Sequence, residues 1–252
     1  MKTKINTCVR LKKVKFNITI ILTTALLLCG TAFSAHGQRQ KPFNLETFTY
    51  RPYHFGFILG FNGMNFRIKQ DAPYMINDSL FTITARPEYG FQIGIIANKR
   101  LSQFLDLKLS TVLAFGERKI DYTIRYNNDI VTFTKPVEST FLEFPLSLKY
   151  RSKRINNFGA YVLNGIKYGI DLASQSEKIE ETDNYIVKLK KHEFAYEIGV
   201  GFDFYLPYFK FGIELKTSFG VNDLLVRDKT IFTDGFGKLT SKIWQLSFTF
   251  EG

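Results

Sequence analysis

Residues 192–205 read His192-Glu193-Phe194-Ala195-Tyr196-Glu197-Ile198-Gly199-Val200-Gly201-Phe202-Asp203-Phe204-Tyr205. Phe194, Tyr196, Ile198, Val200, Phe202 and Phe204 share one parity, and Glu193, Ala195, Glu197, Gly199, Gly201 and Asp203 share the other. Successive side chains of a strand point to opposite faces. The stretch is therefore a strand with one face suited to hydrocarbon and one that is not, as a wall between lipid and a polar lumen requires.

The same period of two recurs from Tyr53 to the C-terminus. Strand one, Tyr53 to Gln70, sets Phe55, Phe57, Leu59 and Phe61 on one face; the apolar parity then switches to Met64, Phe66 and Ile68, which predicts a bulge at Gly60 or Gly63. Strand two, Tyr89 to Ala97, leads into an Asn98-Lys99-Arg100 turn. Strand three carries Leu105, Leu107, Leu109, Leu113 and Phe115 outward. Past Gly116 its apolar parity flips to Ile120, Tyr122, Ile124 and Tyr126, ahead of an Asn127-Asn128-Asp129 hairpin turn that projects beyond the membrane. Strand four alternates Leu142, Phe144, Leu146, Leu148 and Tyr150 with Glu143, Pro145, Ser147 and Lys149, and a bulge is expected to absorb Pro145. Strand five, Phe158 to Leu172, puts Asn164 and Lys167 on opposite parities, so its facing stays open. Strand seven runs from Phe209 to Phe219, and strand eight ends the chain with Trp244, Leu246, Phe248 and Phe250 on one face.

Connections at 98–102, 151–157 and 206–208 are short, whereas those at 70–88, 118–139, 173–191 and 222–241 are long. Strict alternation of short and long is how an even, antiparallel barrel threads a membrane; a soluble sandwich or lipocalin-like barrel imposes no such rule. The expected fold is all-β, an eight-stranded antiparallel transmembrane β-barrel with short periplasmic turns and long extracellular loops. Tyr89, Tyr150, Tyr196, Trp244 and Phe250 are its expected aromatic anchors at the membrane surfaces.

The N-terminus supplies an address. Lys2, Lys4, Arg10, Lys12, Lys13 and Lys15 precede an apolar core from Ile18 to Leu28, and Ala35-His36-Gly37 offers small residues at the cleavage positions, the pattern of a secretory signal peptide. The core is shorter than the ~20 residues of a spanning helix, and Leu28 is too bulky to precede a lipidated Cys29. The chain thus divides into a cleaved segment 1–37, a periplasmic segment 38–52 and a barrel 53–252. Cleavage would remove both cysteines, Cys8 and Cys29, and with them any disulfide or cysteine metal site. It would also take six of the 34 basic residues and none of the 23 acids, so 28 against 23 leaves +5 in place of +11, and the case for nucleic acid as a partner weakens.

An eight-stranded barrel is narrow enough for its own side chains to fill. The inward parities carry Asp106, Glu143, Glu197, Asp203 and Glu214 with Lys108, Lys149, Lys167, Lys210 and Lys216, a lumen charge network of matched sign. Buried charges must be paired, because an unpaired one costs several kcal/mol. One register of the hairpin between strands six and seven satisfies both faces: Asp203 opposite Lys210 and Glu197 opposite Lys216 inside, Phe202 opposite Phe211 and Val200 opposite Ile213 outside.

Three stretches carry a family resemblance: Arg51-Pro52-Tyr53-His54-Phe55-Gly56-Phe57 with Gly60-Phe61-Asn62, Phe141-Leu142-Glu143-Phe144-Pro145-Leu146, and Glu197 to Phe204. They resemble the PorT-like outer-membrane β-barrels of the Bacteroidota. The resemblance implies a component of the type IX secretion system, which exports proteins with C-terminal signals and is tied to gliding motility in some species. It implies a part needed for protein transport or its assembly rather than the export channel, with no catalytic residues and no cofactor. Expected partners are outer-membrane lipid and lipopolysaccharide, the barrel-assembly machinery and other type IX secretion components. The ending departs from the usual pattern, since Glu251-Gly252 follow Phe250 where an aromatic residue is common.

Two other readings compete. An outer-membrane enzyme could use His192 beside Glu193 as a general base, with Glu180, Glu181 and Asp183 nearby; solvated loop charge accounts for these residues more simply. No two histidines have metal-ligand spacing. A binding or adhesion barrel could pair a foreign strand with the 121–134 hairpin. Basic residues including Arg118, Lys119, Lys188, Lys190, Lys191, Arg227 and Lys229 could meet lipid phosphates at the outer rim.

Overall fold

The computed structural model describes residues 42–70, 80–126, 129–173, 189–226 and 236–252. The expected signal peptide and residues 38–41 lie outside them, as do Asn127, Asn128, Glu180, Glu181, Asp183, Lys188, Arg227 and Lys229.

Eight antiparallel strands close into one barrel in sequence order: β1 (Tyr53–Gln70), β2 (Leu80–Arg100), β3 (Leu105–Tyr126), β4 (Asp129–Arg151), β5 (Phe158–Asp171), β6 (His192–Tyr205), β7 (Lys210–Gly220) and β8 (Phe236–Glu251). Closure follows from β1 pairing with both β2 and β8. Full closure leaves no edge within the wall, which is what hydrocarbon demands of a sheet. Outward positions are apolar and exposed, among them Phe55, Phe91, Ile95, Ile166 and Phe194. Asn164 is a polar residue on this face, and its amide donates to the Tyr196 hydroxyl.

The structure corrects several expectations about segmentation. β2 begins at Leu80 and β8 at Phe236, so much of the expected 70–88 and 222–241 connections is strand. The 118–139 segment is a hairpin whose last pair is Tyr126↔Asp129. β1 has no bulge at Gly60 or Gly63, because its pairing with β2 is continuous from Tyr53↔Lys99 to Met64↔Glu88. The shifts fall instead in β2 between Pro87 and Phe91 and near Leu80, and in β1 at Lys69/Gln70. Nor does Pro145 make a bulge. The β3–β4 pairing passes from Leu109↔Leu146 to Val112↔Glu143 in unchanged register, skipping the positions beside the proline, which lacks an N–H to give.

Bilayer crossing takes ~9–11 residues per strand, and β2, β3 and β4 have 21, 22 and 23. Their excess lies at the long-loop end. There β2 loses β1 beyond Met64↔Glu88 and β4 loses β5 beyond Phe141↔Asp171, while both keep β3. The three strands thus continue as a sheet past the rim of the closed barrel. Val131 and Val137 are half-buried there, and Thr132, Phe133, Thr134 and Pro136 are exposed.

Inside, glycine makes room for a neighbouring backbone or side chain at close range. A Cβ at Gly60 would lie 2.4 Å from the Leu246 carbonyl oxygen, and one at Gly201 would lie 2.4 Å from the Tyr161 ring.

Candidate functional site

The lumen concentrates the barrel's buried charge, and it is built in three layers. At the short-turn end, Pro42–Tyr50 folds back over the mouth. A single turn of 3-10 helix (Thr47–Thr49) aims the Phe48 ring at His54, 3.9 Å away between centroids, and the His54 ring Nε2 lies 2.8 Å from the Phe48 carbonyl. Arg154 clamps the same segment: it donates to the carbonyl of Asn44 at 2.5 Å and packs over the rings of Tyr205 and Phe43. Asn44 completes the clamp through Asn157 and the Tyr205 carbonyl.

The middle layer is ionic. All ten residues of the expected charge network, Asp106, Lys108, Glu143, Lys149, Lys167, Glu197, Asp203, Lys210, Glu214 and Lys216, are buried inside. Lys108 pairs with Glu214, Lys149 with Asp203 at 2.8 Å, Lys167 with Glu143 at 2.6 Å and Lys216 with Glu197 at 3.0 Å. Lys210 pairs with Glu251 at 2.7 Å and reaches Asp203 at 4.0 Å. Asp106 takes Arg151 at 2.8 Å and Arg100 at 3.8 Å. Tyr161 ties the layer together, donating to Glu214 at 2.8 Å beneath the Lys149 ammonium, which stands 3.5 Å over its ring.

The β6–β7 register is not the one that aligns Asp203 with Lys210. Asp203 lies opposite Gly212 and Glu197 opposite Ser218, while outside Phe202 meets Ile213 and Val200 meets Leu215. The slip is two residues, which preserves every facing. Its cause is the connection. The other register needs Leu206-Pro207 as a two-residue hairpin turn, whose favoured forms require a positive φ either at both residues, which proline cannot supply, or at Leu206, which a leucine resists. The chain makes a four-residue loop, 206–209, closed by the Leu206 N–H donating to the Phe209 carbonyl at 3.0 Å. Lysine stems are long enough to bridge the offset, so Glu197–Lys216 still forms as a diagonal pair.

The third layer, at the long-loop end, is apolar. Phe66, Ile83, Ile120, Tyr122 and Leu239 from the strands pack with Leu189, Leu224 and Leu225 from the loops, and Leu189 bridges Leu225 backbone to backbone. Here is the meaning of the parity switches in β1 and β3. The facing never changes; the content of the lumen does. Arg118, expected at the rim, is buried under this plug, its guanidinium 4.3 Å over Phe66 and 5.0 Å over Phe141, donating to Ser139 and 3.9 Å from Asp171.

Residues absent from the expected network include Glu251, Glu193, Asp171, Arg118, Arg100, Arg151, Asn98, Gln92 and Gln245, all at inward positions. Glu251 held a visible signal, the alternation of β8 that puts it in phase with Gln245, Ser247 and Thr249. The acid after the terminal aromatic residue belongs to the lumen. Strand five, left open by its sequence, turns Lys167 inward and Asn164 outward.

The aromatic residues expected as anchors lie on the outer face: Tyr89, Tyr150, Tyr196 and Trp244 are exposed, and Phe250 stacks on Phe57 at 4.8 Å. His192 and Glu193 do not form a general-base pair, because they point to opposite sides of the wall. The His192 Nδ1 meets the Tyr168 hydroxyl at 2.8 Å outside, whereas Glu193 is buried inside and accepts from Ser241. Among the described residues no group of three or more His, Cys, Asp or Glu is placed to hold a metal ion.

Residues 37–226 match the family model described as outer membrane protein beta-barrel domain. No curated protein sequence matches the chain. Among solved structures, the outer membrane protein OprG of Pseudomonas aeruginosa is similar at 15% identity, covering 79% of this chain and 95% of its own, with a TM-score of 0.43. The N-terminal β-barrel domain of Pseudomonas aeruginosa OprF matches at 14% identity, 77% and 97% coverage and a TM-score of 0.33. Ail, the attachment invasion locus protein of Yersinia pestis, matches at 9% identity, 80% and 100% coverage and a TM-score of 0.35. With three quarters of its length under that family model and eight strands closed on themselves, the chain belongs to the outer membrane protein beta-barrel domain family and resides in the outer membrane.

Proposed function

We propose that this barrel is a PorT-like component required for type IX protein secretion or for its assembly, and acts neither as the export channel nor as an enzyme. The observation that carries the non-channel part is the filled lumen. At its inward positions Asp106, Glu143, Asp171, Glu193, Glu197, Asp203, Glu214 and Glu251 stand against Arg100, Lys108, Arg118, Lys149, Arg151, Lys167, Lys210 and Lys216. The signs balance, side chains occupy the bore, Pro42–Tyr50 covers one end and an apolar plug the other. A barrel so packed works through its outer surface, its periplasmic segment or its loops. The link to type IX export rests on the likeness of Arg51–Asn62, Phe141–Leu146 and Glu197–Phe204 to PorT-like proteins.

The test is a chromosomal deletion assayed for surface delivery of proteins bearing type IX C-terminal signals, with complementation by the full chain. Lost export that the full chain restores is the expected result. Normal export from the deletion strain ends the secretion reading and leaves the barrel untouched.

A second reading, a small binding or adhesion barrel, is favoured by one feature, the β2–β3–β4 sheet that continues past the rim with Phe133 exposed at its edge strand. Removing residues 127–129 would abolish surface binding under that reading while leaving export intact.

A further inference from the structure

Between the periplasmic segment and the strand ends lies a cleft of about 480 Å³ at the short-turn end of the lumen, where Arg100, Arg151 and Asp203 of the charge network reach its surface. Phe43, Glu46 and Tyr50 form one wall, Arg100 and Phe104 come from the β2–β3 turn, and Arg151 to Arg154 come from the β4–β5 turn. Its volume lies within the usual range for small-molecule sites, ~300–1,000 Å³.

Its charge is locally out of balance, although the lumen as a whole balances. The guanidiniums of Arg100 and Arg151 converge on a single carboxylate, Asp106, at 3.8 and 2.8 Å, with side chains only 17% and 11% exposed. Asp203, which also lines the cleft, is already taken by Lys149 at 2.8 Å. Arg154 is held by carbonyl and amide oxygens rather than by an acid. With Lys153 exposed at the opening, four cations, Arg100, Arg151, Lys153 and Arg154, line the cleft with Glu46 and the Lys149-bound Asp203, and Asp106 meets the first two. Two half-buried guanidiniums sharing one acid leave a positive charge that an incoming anion could neutralise, and arginine forks match the oxygens of phosphate. Beside them stand aromatic faces, Phe43, Tyr50, Phe104 and Tyr205, that suit an apolar stem.

We infer that this cleft binds an amphiphilic phosphate ester of net negative charge, its anionic group on Arg100 and Arg151 and its apolar stem against Phe43, Tyr50 and Phe104. Such a ligand has two sources, an anionic phospholipid of the periplasmic leaflet or a soluble periplasmic ester. The inference stands whether or not the chain serves secretion.

The experiment uses the purified full-length protein in non-ionic detergent, titrated calorimetrically with dihexanoyl phosphatidic acid, dihexanoyl phosphatidylcholine and phenyl phosphate. One phosphatidic acid per chain is expected, with phosphatidylcholine at least about tenfold weaker, since a charge-assisted hydrogen bond is worth ~1.5–3 kcal/mol and 1.4 kcal/mol is tenfold. Arg100→Gln and Arg151→Gln should each weaken phosphatidic acid about tenfold. Lys153→Gln, at an exposed position where folding is not at stake, should weaken it about two- to threefold. Phenyl phosphate binding with the same arginine dependence assigns a soluble source. Phosphatidic acid binding without phenyl phosphate binding assigns a lipid. Equal binding of phosphatidic acid and phosphatidylcholine, binding indifferent to Arg100→Gln and Lys153→Gln, or no binding of either anion overturns the inference.

Discussion

Glu214→Gln isolates the value of one lumen charge. Glu214 is fully buried and Lys108 is 3% exposed, and the two bond directly. The amide keeps an acceptor for the Tyr161 hydroxyl, which donates to Glu214 at 2.8 Å, so the change removes charge and little shape. Lys108 then has no free acid to turn to, because Glu251, the next one acting on it, is bound to Lys210 at 2.7 Å. Stranding a buried ion by deleting its partner costs about 3–5 kcal/mol, or roughly two to three and a half orders of magnitude in the unfolding constant. The assay is reversible urea unfolding from lipid vesicles, followed by fluorescence of the single tryptophan, Trp244, which faces outward. Lys108→Met should cost a similar amount. The double variant, with neither charge, should cost at least about 2 kcal/mol less than the sum, since replacing a buried pair by neutral groups is often close to neutral. A loss below about 1 kcal/mol for Glu214→Gln, or additive single losses, would refute the reasoning; those are the values of a solvated pair.

Other outcomes follow from the same structure. Gly201→Ala puts a methyl group where the Tyr161 ring already sits, at 2.4 Å, and should destabilise the barrel by about 1–3 kcal/mol in the same unfolding assay. Glu251→Gln leaves Lys210 with Asp203 at 4.0 Å as its remaining acid, so it should unfold at lower urea than the parent protein, losing about 3–5 kcal/mol in the same assay. Arg154→Ala frees the clamp on Asn44 and should expose Pro42–Pro52 to added protease while the heat-modifiable gel shift of the folded barrel persists. In planar bilayers the protein should show no steady conductance, and Leu225→Asp, which puts an acid into the apolar plug, should reduce stability without opening a pore.

Strand number and closure were legible, and so was facing where the alternation is clean, because period-two alternation is local: each residue's side follows from its neighbour's. That was enough to read strand six, the inward lysines and acids, and the outward aromatic residues. The same phase in β8 sets Glu251 inward with Gln245, Ser247 and Thr249. The Leu206-Pro207 dipeptide likewise carried, in its fixed φ, the reason against a two-residue turn. The facing of strand five was not legible, since Asn164 and Lys167 were equally poor candidates for lipid until Tyr196 on the adjacent strand supplied Asn164 with a partner.

By itself the sequence determined the strands and the side of the wall taken by residues of strands that alternate cleanly, such as strands six, seven and eight, because alternation is fixed by the backbone and independent of what lies across the bore. Only the tertiary structure decided what the bore contains. Met64, Phe66, Ile120 and Tyr122 break the rule that inward means polar, because strands distant in sequence bring them together with Leu189, Leu224, Leu225 and Leu239 in apolar layers sealed from water. Which lysine meets which acid was likewise settled by the stagger of the closed barrel, which sets neighbours across the lumen, as with Lys108 and Glu214, through contacts no stretch of chain encodes locally.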